Sequence, residues 1–172
     1  MELVLTIDEQ HVTELFSLLQ QGVAIRVKNG QTIKQLLEEQ LGIPSSYVSE
    51  HISTVFLNAK PVDEIKNAVI GDGDTLALSG AMPGLVGAIL RRGSFYSSFR
   101  APVTYDPTDP RNKNGPGQVA DLRIKLFNKI LREIGPRLLE SGVIVSNQQL
   151  TETLPRVLPH CNQVRWNDRD YN

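Results

Sequence analysis

Apolar residues in the first eighty positions follow two periodicities, one typical of strands and one of helices. Short runs of β-forming residues predict strands over 2–6, 23–27, 53–57 and 75–78. Helical spacing follows two capping-box sequences, Thr6-Ile7-Asp8-Glu9 and Thr32-Ile33-Lys34-Gln35, and Gly22 is expected to end the first of the two helices. The resulting order, β-α-β-α-β-β, predicts an α+β fold in which one mixed sheet wraps around a central helix.

The second half of the chain shows the longest helical stripe. Its members are Val119, Leu122, Leu126, Ile130 and Ile134. They predict a helix over 118–134 that kinks or restarts at Gly135-Pro136. A short strand over 143–145 and a helix capped by Ser146-Asn147-Gln148-Gln149 and stopped by Pro155 follow. Residues 118–172 are therefore predicted to form a mostly helical C-terminal appendage.

Composition changes sharply between these two parts. Residues 81–100 are first apolar and then rich in arginine and aromatic residues, and 101–117 are rich in proline and glycine. The sequence thus predicts a first domain over 1–80, a distinct segment over 81–100 and a linker over 101–117 before the appendage.

Charge and cysteine content narrow the function classes. Residues 1–80 carry a net charge of −6 and residues 81–172 carry +5. This asymmetry indicates either that the two halves dock on each other or that the second half seeks an anionic partner. Cys161 is the sole cysteine, which excludes an intrachain disulfide, and the sequence begins without a signal-peptide pattern. A cytoplasmic protein without a membrane span is expected.

The stretch from Val23 to Gly84 resembles the small sulfur-carrier proteins of molybdopterin and thiamin synthesis. The residues that carry the resemblance lie in three segments, Asn29–Leu37, Val55–Val62 and Asp72–Leu78. The whole chain is also similar to uncharacterised bacterial proteins that contain an Ala-Met-Pro-Gly-Leu-Val-Gly-Ala segment. The resemblance implies that residues 1–80 form a β-grasp (ubiquitin-like) domain, in which a mixed sheet wraps around a central helix.

The sulfur-carrier chemistry requires a feature that this sequence does not have at the matching place. Carriers end in a free Gly-Gly whose carboxylate is activated, whereas here Ala81-Met82-Pro83-Gly84-Leu85 stands within the chain. A sulfur-carrier function therefore requires cleavage near Gly84, and it stays an alternative.

No other pattern predicts catalysis. His11, His51 and His160 lack a metal-ligand spacing, and Gly80, Gly84 and Gly87 lack the Lys-Ser/Thr that follows a phosphate-binding loop. We expect no catalytic residue, no metal and no cofactor, and hence not an enzyme.

The best candidate for function is the arginine and aromatic segment with the apolar residues before it. Its residues are Met82, Leu85, Arg91, Arg92, Phe95, Tyr96, Phe99 and Arg100. Arginines grip anionic groups and aromatic rings fill partner pockets, so a non-enzymatic protein-binding or adaptor module is predicted. Self-association through Met82–Leu90, nucleic-acid or phosphate binding through the same segment, and simple core packing of the aromatic residues are the alternatives.

Overall fold

The fold is a mixture of helices and strands, seen in a computed structural model that describes residues 3–108, 118–167 and 169–171. The strands are β1 Leu3–Ile7, β2 Val23–Lys28, β3 Thr54–Leu57, β4 Lys60–Pro61, β5 Thr75–Ser79, β6 Val119–Phe127, β7 Cys161–Trp166 and β8 Arg169–Tyr171. The α-helices are α1 Phe16–Gln21, α2 Ile33–Gln35, α3 Ser45–Glu50, α4 Gly84–Leu90, α5 Asn128–Glu140 and α6 Asn147–Val157. Three 3₁₀-helices, Glu9–Leu15, Phe95–Val103 and Leu158–His160, and a π-helix that continues α2, Leu36–Gln40, complete the described elements. Most of the expected linker, 109–117, lies outside the described residues.

The larger sheet has five strands in the order β2-β6-β5-β3-β4. Strand β6 runs antiparallel to β2, with Ile25 opposite Leu122, and parallel to β5, with Leu76 opposite Ile124. A strand from the second half of the chain therefore separates the strands supplied by the first half. The fold is α+β with a mixed sheet.

The predicted helix over 118–134 is wrong for its first part. Residues 119–127 alternate between exposed and buried positions, and Ala120, Leu122, Ile124 and Leu126 are the buried ones. Leu122 and Leu126 satisfy a period of two and a helical spacing equally well, so they do not separate the two structures. Ile124 does separate a helix from a strand. On a helix it would lie off the apolar stripe, whereas on the strand it lies on the buried face.

One hydrophobic core unites both halves of the chain. Ile33, Leu37 and Leu78 from the first half lie in the same cluster of buried side chains as Ile124 and Ile134 from the second. The sheet is consequently not complete at residue 80, and residues 118–172 are not an appendage with a core of their own. Helix α5 continues through Pro136 to Glu140, and α6 through Pro155 to Val157.

A second, three-stranded sheet joins the two ends of the described chain in the order β1-β7-β8. Leu5 of β1 lies opposite Val164 of β7, and the two strands run antiparallel. The prediction that β1 belongs to the main sheet is therefore wrong. The capping box predicted at Thr6-Ile7-Asp8-Glu9 is absent too, since Asp8 precedes a 3₁₀-helix without a side-chain cap.

Several local predictions are confirmed. Thr32 and Ser146 each form a capping box with the glutamine three residues later. Gly22 ends α1 with a φ of 107°, a conformation that favours glycine.

The strand expected over 143–145 is reduced to a single bridge between Ile144 and Ala24.

Candidate functional site

The segment from Gly84 to Val103 folds back on itself as helix α4 followed by a 3₁₀-helix. Ser94 stabilises the turn between them, because its hydroxyl donates to the carbonyl of Ala88 (2.6 Å) and accepts from the backbone N–H of Tyr96 (3.0 Å). Gly87 is required inside α4, since a Cβ there would lie 2.0 Å from the carbonyl oxygen of Met82. Met82 is half-buried.

Arg100 does not lie on the surface as the sequence predicted. Its side chain is 4% exposed and its guanidinium forms a two-pronged ion pair with Asp63, at 2.6 and 3.1 Å. It also donates to the carbonyls of Ile89 (2.8 Å) and Arg91 (3.4 Å) and to the hydroxyl of Thr104 (2.9 Å). Arg100 therefore fastens the end of α4, the 3₁₀-helix and the chain after β4 to one another; we name the pair Asp63–Arg100 the latch.

The neighbouring arginines have separate roles. Arg92 donates to the carbonyls of Val48 (3.0 Å) and Ile52 (3.1 Å), which ties the segment to the end of α3. Burial lowers the pKa of Arg92, against the opposing effect of the nearby Glu64 and Asp63. Arg91 is exposed. Arg91 is therefore the most exposed of the three, since Arg92 is half-buried and Arg100 is buried.

The aromatic residues, in contrast, point outward. Phe95 is 88% exposed and Phe99 is 73% exposed, while Leu85 and Val86 on α4 are exposed by 66% and 68%. Tyr96 lies between the two phenylalanines, with ring centroids 5.5 Å from Phe95 and 6.2 Å from Phe99. We call Leu85, Val86, Phe95, Tyr96 and Phe99 the aromatic surface.

The stretch of chain that bears the aromatic surface carries positive charges only, although Glu64 from another part of the chain lies near Arg92. The sequence from Thr75 to Tyr105 contains three arginines and no acidic residue. Asp63 is already committed to Arg100, so the exposed charge of this segment is that of Arg91. A partner with acidic groups around an apolar pocket would be complementary to it.

A second polar cluster, which no sequence pattern predicted, links α3 to α5. Tyr47 donates its hydroxyl to Glu133, and Lys129 lies 3.3 Å from Glu133 and 3.5 Å from Nδ1 of His51. Burial and the bond to Glu133 raise the pKa of Tyr47, and the same bond is the main cause of the lowered pKa of Glu133. Tyr47 and His51 are more than seventy positions before Lys129 and Glu133, so no local pattern joins the two pairs.

The remaining histidines and the cysteine do not form a catalytic arrangement in the described part of the chain. The rings of His11 and His160 stack with their centroids 4.0 Å apart, which connects the two ends of the chain. Cys161 donates its thiol to the carbonyl of Val157 (3.4 Å), and burial raises its pKa, which disfavours the reactive thiolate. In the described residues, no three potential metal ligands come together.

No protein-family model, curated protein or solved structure matches the chain. Among the described helices, none has the length and apolar character needed to cross a membrane. The geometry of the aromatic surface is thus the main guide to function.

Proposed function

We propose that this chain is a non-enzymatic protein-binding or adaptor module and that its aromatic surface receives the partner. The observation that carries the proposal is the combination of outward-facing rings with an inward-facing arginine. Phe95 and Phe99 are largely exposed to water, although the segment that bears them is fastened by the buried side chain of Arg100. Exposed apolar side chains gathered in one patch are typical of interaction sites.

The latch gives this surface its binding capacity. A fixed segment loses little conformational entropy on binding, so more of the burial energy appears as affinity. Full burial of one phenylalanine or leucine side chain contributes roughly 1.5–3 kcal/mol. Phe95, Phe99 and Leu85 together can therefore supply the centre of an interface, with Arg91 at its rim, where charge governs orientation and association rate.

The scaffold is proposed to be a β-grasp sheet with a rearranged chain order. A β-grasp sheet of the expected kind has two neighbouring strands before its central helix. Here β2 precedes the helix that begins at Ile33, but its neighbour β6 comes from residues 119–127. The strand order supports a circularly permuted β-grasp. In it, the strand that normally comes first along the chain comes after the other four strands of the sheet.

The alternatives receive less support from the geometry. Nucleic-acid or phosphate binding through this segment needs free guanidinium groups, and both Arg92 and Arg100 donate to the protein itself. A sulfur-carrier function would need cleavage at Gly84, which is the first residue of α4. A cytoplasmic location, which suits the lone Cys161, remains part of the proposal.

The test uses the double variant Phe95→Ser/Phe99→Ser and a matched control, Val119→Ser. Val119 on β6 is 73% exposed, as is Phe99, so its replacement alters an equally exposed apolar side chain elsewhere on the fold. We expect both variants to keep the wild-type melting temperature. Excess control protein, added before cross-linking, should reduce the yield of the adduct between the wild type and its partner, and excess double variant should not. Equal reduction by both would refute the proposal.

A further inference from the structure

A large cleft lies between the small sheet and the rest of the protein. Its volume is about 1880 Å³, and its lining runs along β1, the 3₁₀-helix after it, and the end of α5. Apolar side chains that are only half-buried, among them Phe16, Leu139 and Val143, line it. The volume exceeds the roughly 300–1,000 Å³ of sites for small molecules, which favours a larger occupant.

Strand β1 presents its edge to this cleft. All five residues from Leu3 to Ile7 line it, although alternate side chains of a strand point to opposite faces. Contact with all five residues is what a cleft that runs along the edge of the strand would give. Strand β1 is also the outermost strand of its sheet, and β7 occupies its other side.

This edge carries backbone groups that are ready for pairing. In an antiparallel strand pair, alternate residues direct their N–H and C=O groups away from the partner strand. Among the described residues, none donates to or accepts from the outer edge of β1. The register is regular from Leu3 to Thr6 and shifts between Thr6 and Ile7.

The main sheet protects its two outer edges. On β2, Ala24 exchanges two backbone hydrogen bonds with Ile144, at 2.9 and 2.7 Å, and Gln40 donates to the carbonyl of Arg26 (2.7 Å). On β4, Pro61 has no N–H to offer, and its carbonyl accepts from Tyr105 (2.9 Å).

The two edges of the small sheet differ from each other. Strand β8 is three residues long and carries Arg169 and Asp170, both features that discourage pairing with another chain. Strand β1 reads Leu-Val-Leu-Thr-Ile, without a charge or a proline. The edge of β1 is thus apolar and has no partner among the described residues, whereas the other edges are paired, short or charged. This difference favours β1 as the edge to which another strand adds.

We propose that an extended segment of a partner protein adds to the edge of β1 as a further strand of the small sheet. Only an extended backbone matches donors and acceptors that alternate along a strand, so the edge favours a peptide over a lipid chain. The concave surroundings favour a single segment over a whole second copy of this chain. Apolar side chains such as Phe16, Leu139 and Val143 line the cleft together with charged ones such as Arg26 and Glu140. The segment should therefore have apolar residues at every second position, facing the apolar part of the wall.

The probe is a synthetic peptide in which Leu-Val-Leu-Thr-Ile stands between pairs of lysines. Two control peptides carry N-methyl groups on backbone amides of that stretch. The first is methylated at the odd-numbered residues and the second at the even-numbered residues. Because a paired strand directs only every second amide at its neighbour, only one of the two peptides loses the hydrogen bonds to β1. Dissociation constants are measured with the full chain, and hydrogen exchange locates the site. We expect one methylated peptide to bind roughly tenfold more weakly or worse, as the loss of two ordinary hydrogen bonds predicts. The other should bind as well as the parent.

Binding should slow the exchange of alternate amides from Leu3 to Ile7, and Phe95→Ser/Phe99→Ser should bind the peptide unchanged. That last result separates this inference from the proposal for the aromatic surface. Absence of binding, equal binding of all three peptides, or protection at Phe95–Val103 instead of β1 would overturn it. A concentration-dependent dimer that protects the same β1 amides without peptide would also overturn it, in favour of a second copy.

Discussion

Removing the charge from Asp63 should unfasten the segment that carries the aromatic surface. Asp63→Asn keeps the size of the side chain but leaves the guanidinium of Arg100, which is 4% exposed, without its counter-ion. Breaking a buried ion pair on one side costs about 3–5 kcal/mol. Because the side chain of Asp63 is 27% exposed, water screens part of the effect. We therefore expect a loss at the lower end, roughly 3 kcal/mol.

Urea unfolding of wild type and variant, followed by circular dichroism, measures that loss. The matched control is Asp170→Asn, which breaks a pair with Arg165 at 3.0 Å whose side chains are 50% and 53% exposed. An exposed pair contributes about 0.2–1 kcal/mol, so the control should change stability much less.

Two further results follow from the same geometry. Hydrogen exchange at residues 91–100 should accelerate in Asp63→Asn and not in the control. Replacing both partners, as Asp63→Leu/Arg100→Met, should restore much of the stability, because it leaves no buried charge unpaired. A change below about 0.5 kcal/mol in Asp63→Asn, the size of an ordinary surface effect, would refute the latch.

Three other predictions test the fold and the polar cluster. A fragment of residues 1–80 should show no cooperative urea transition, because β6 supplies the strand between β2 and β5. Leu126→Ala should lower the free energy of unfolding by roughly 2–5 kcal/mol, as expected for a fully buried leucine. Tyr47→Phe should raise the pKa of Glu133 toward its ordinary value in an NMR titration, since the hydroxyl of Tyr47 is the main cause of the lowered pKa. In wild type, the stabilisation from this lowered pKa is present at neutral pH and is lost as pH falls through the folded-state pKa of Glu133. Tyr47→Phe should weaken that pH dependence, and the part due to Lys129 should remain.

Local sequence signals predicted the parts of the fold that depend on neighbouring residues. The capping boxes at Thr32 and Ser146 and the turn at Gly22 are determined by hydrogen bonds and backbone angles within a few positions. The place of β6 depends instead on pairing with strands about fifty and a hundred residues earlier. The spacing of Leu122 and Leu126 fits either structure, and only the alternation through Ile124 points to a strand.

For the candidate site, the sequence selected the segment and the structure shows that its aromatic residues are exposed. The sequence also offered Arg100 as a partner-binding residue, because arginines grip anionic groups, whereas the structure buries it. The acceptor that allows its burial, Asp63, is 37 residues away and belongs to the chain after β4. Such a pairing appears only once the chain has folded.

Site-specific photo-cross-linking in the native host tests the central claim most directly. A photoreactive phenylalanine analogue is placed singly at Phe95, at Phe99 and, as a control, at Leu158, which is 42% exposed on another element. The account predicts that Phe95 and Phe99 give adducts with the same protein, that Leu158 does not, and that Asp63→Asn reduces the yield. Absence of an adduct from both phenylalanine positions, or an equal yield from Leu158, would contradict a partner-binding role for the aromatic surface.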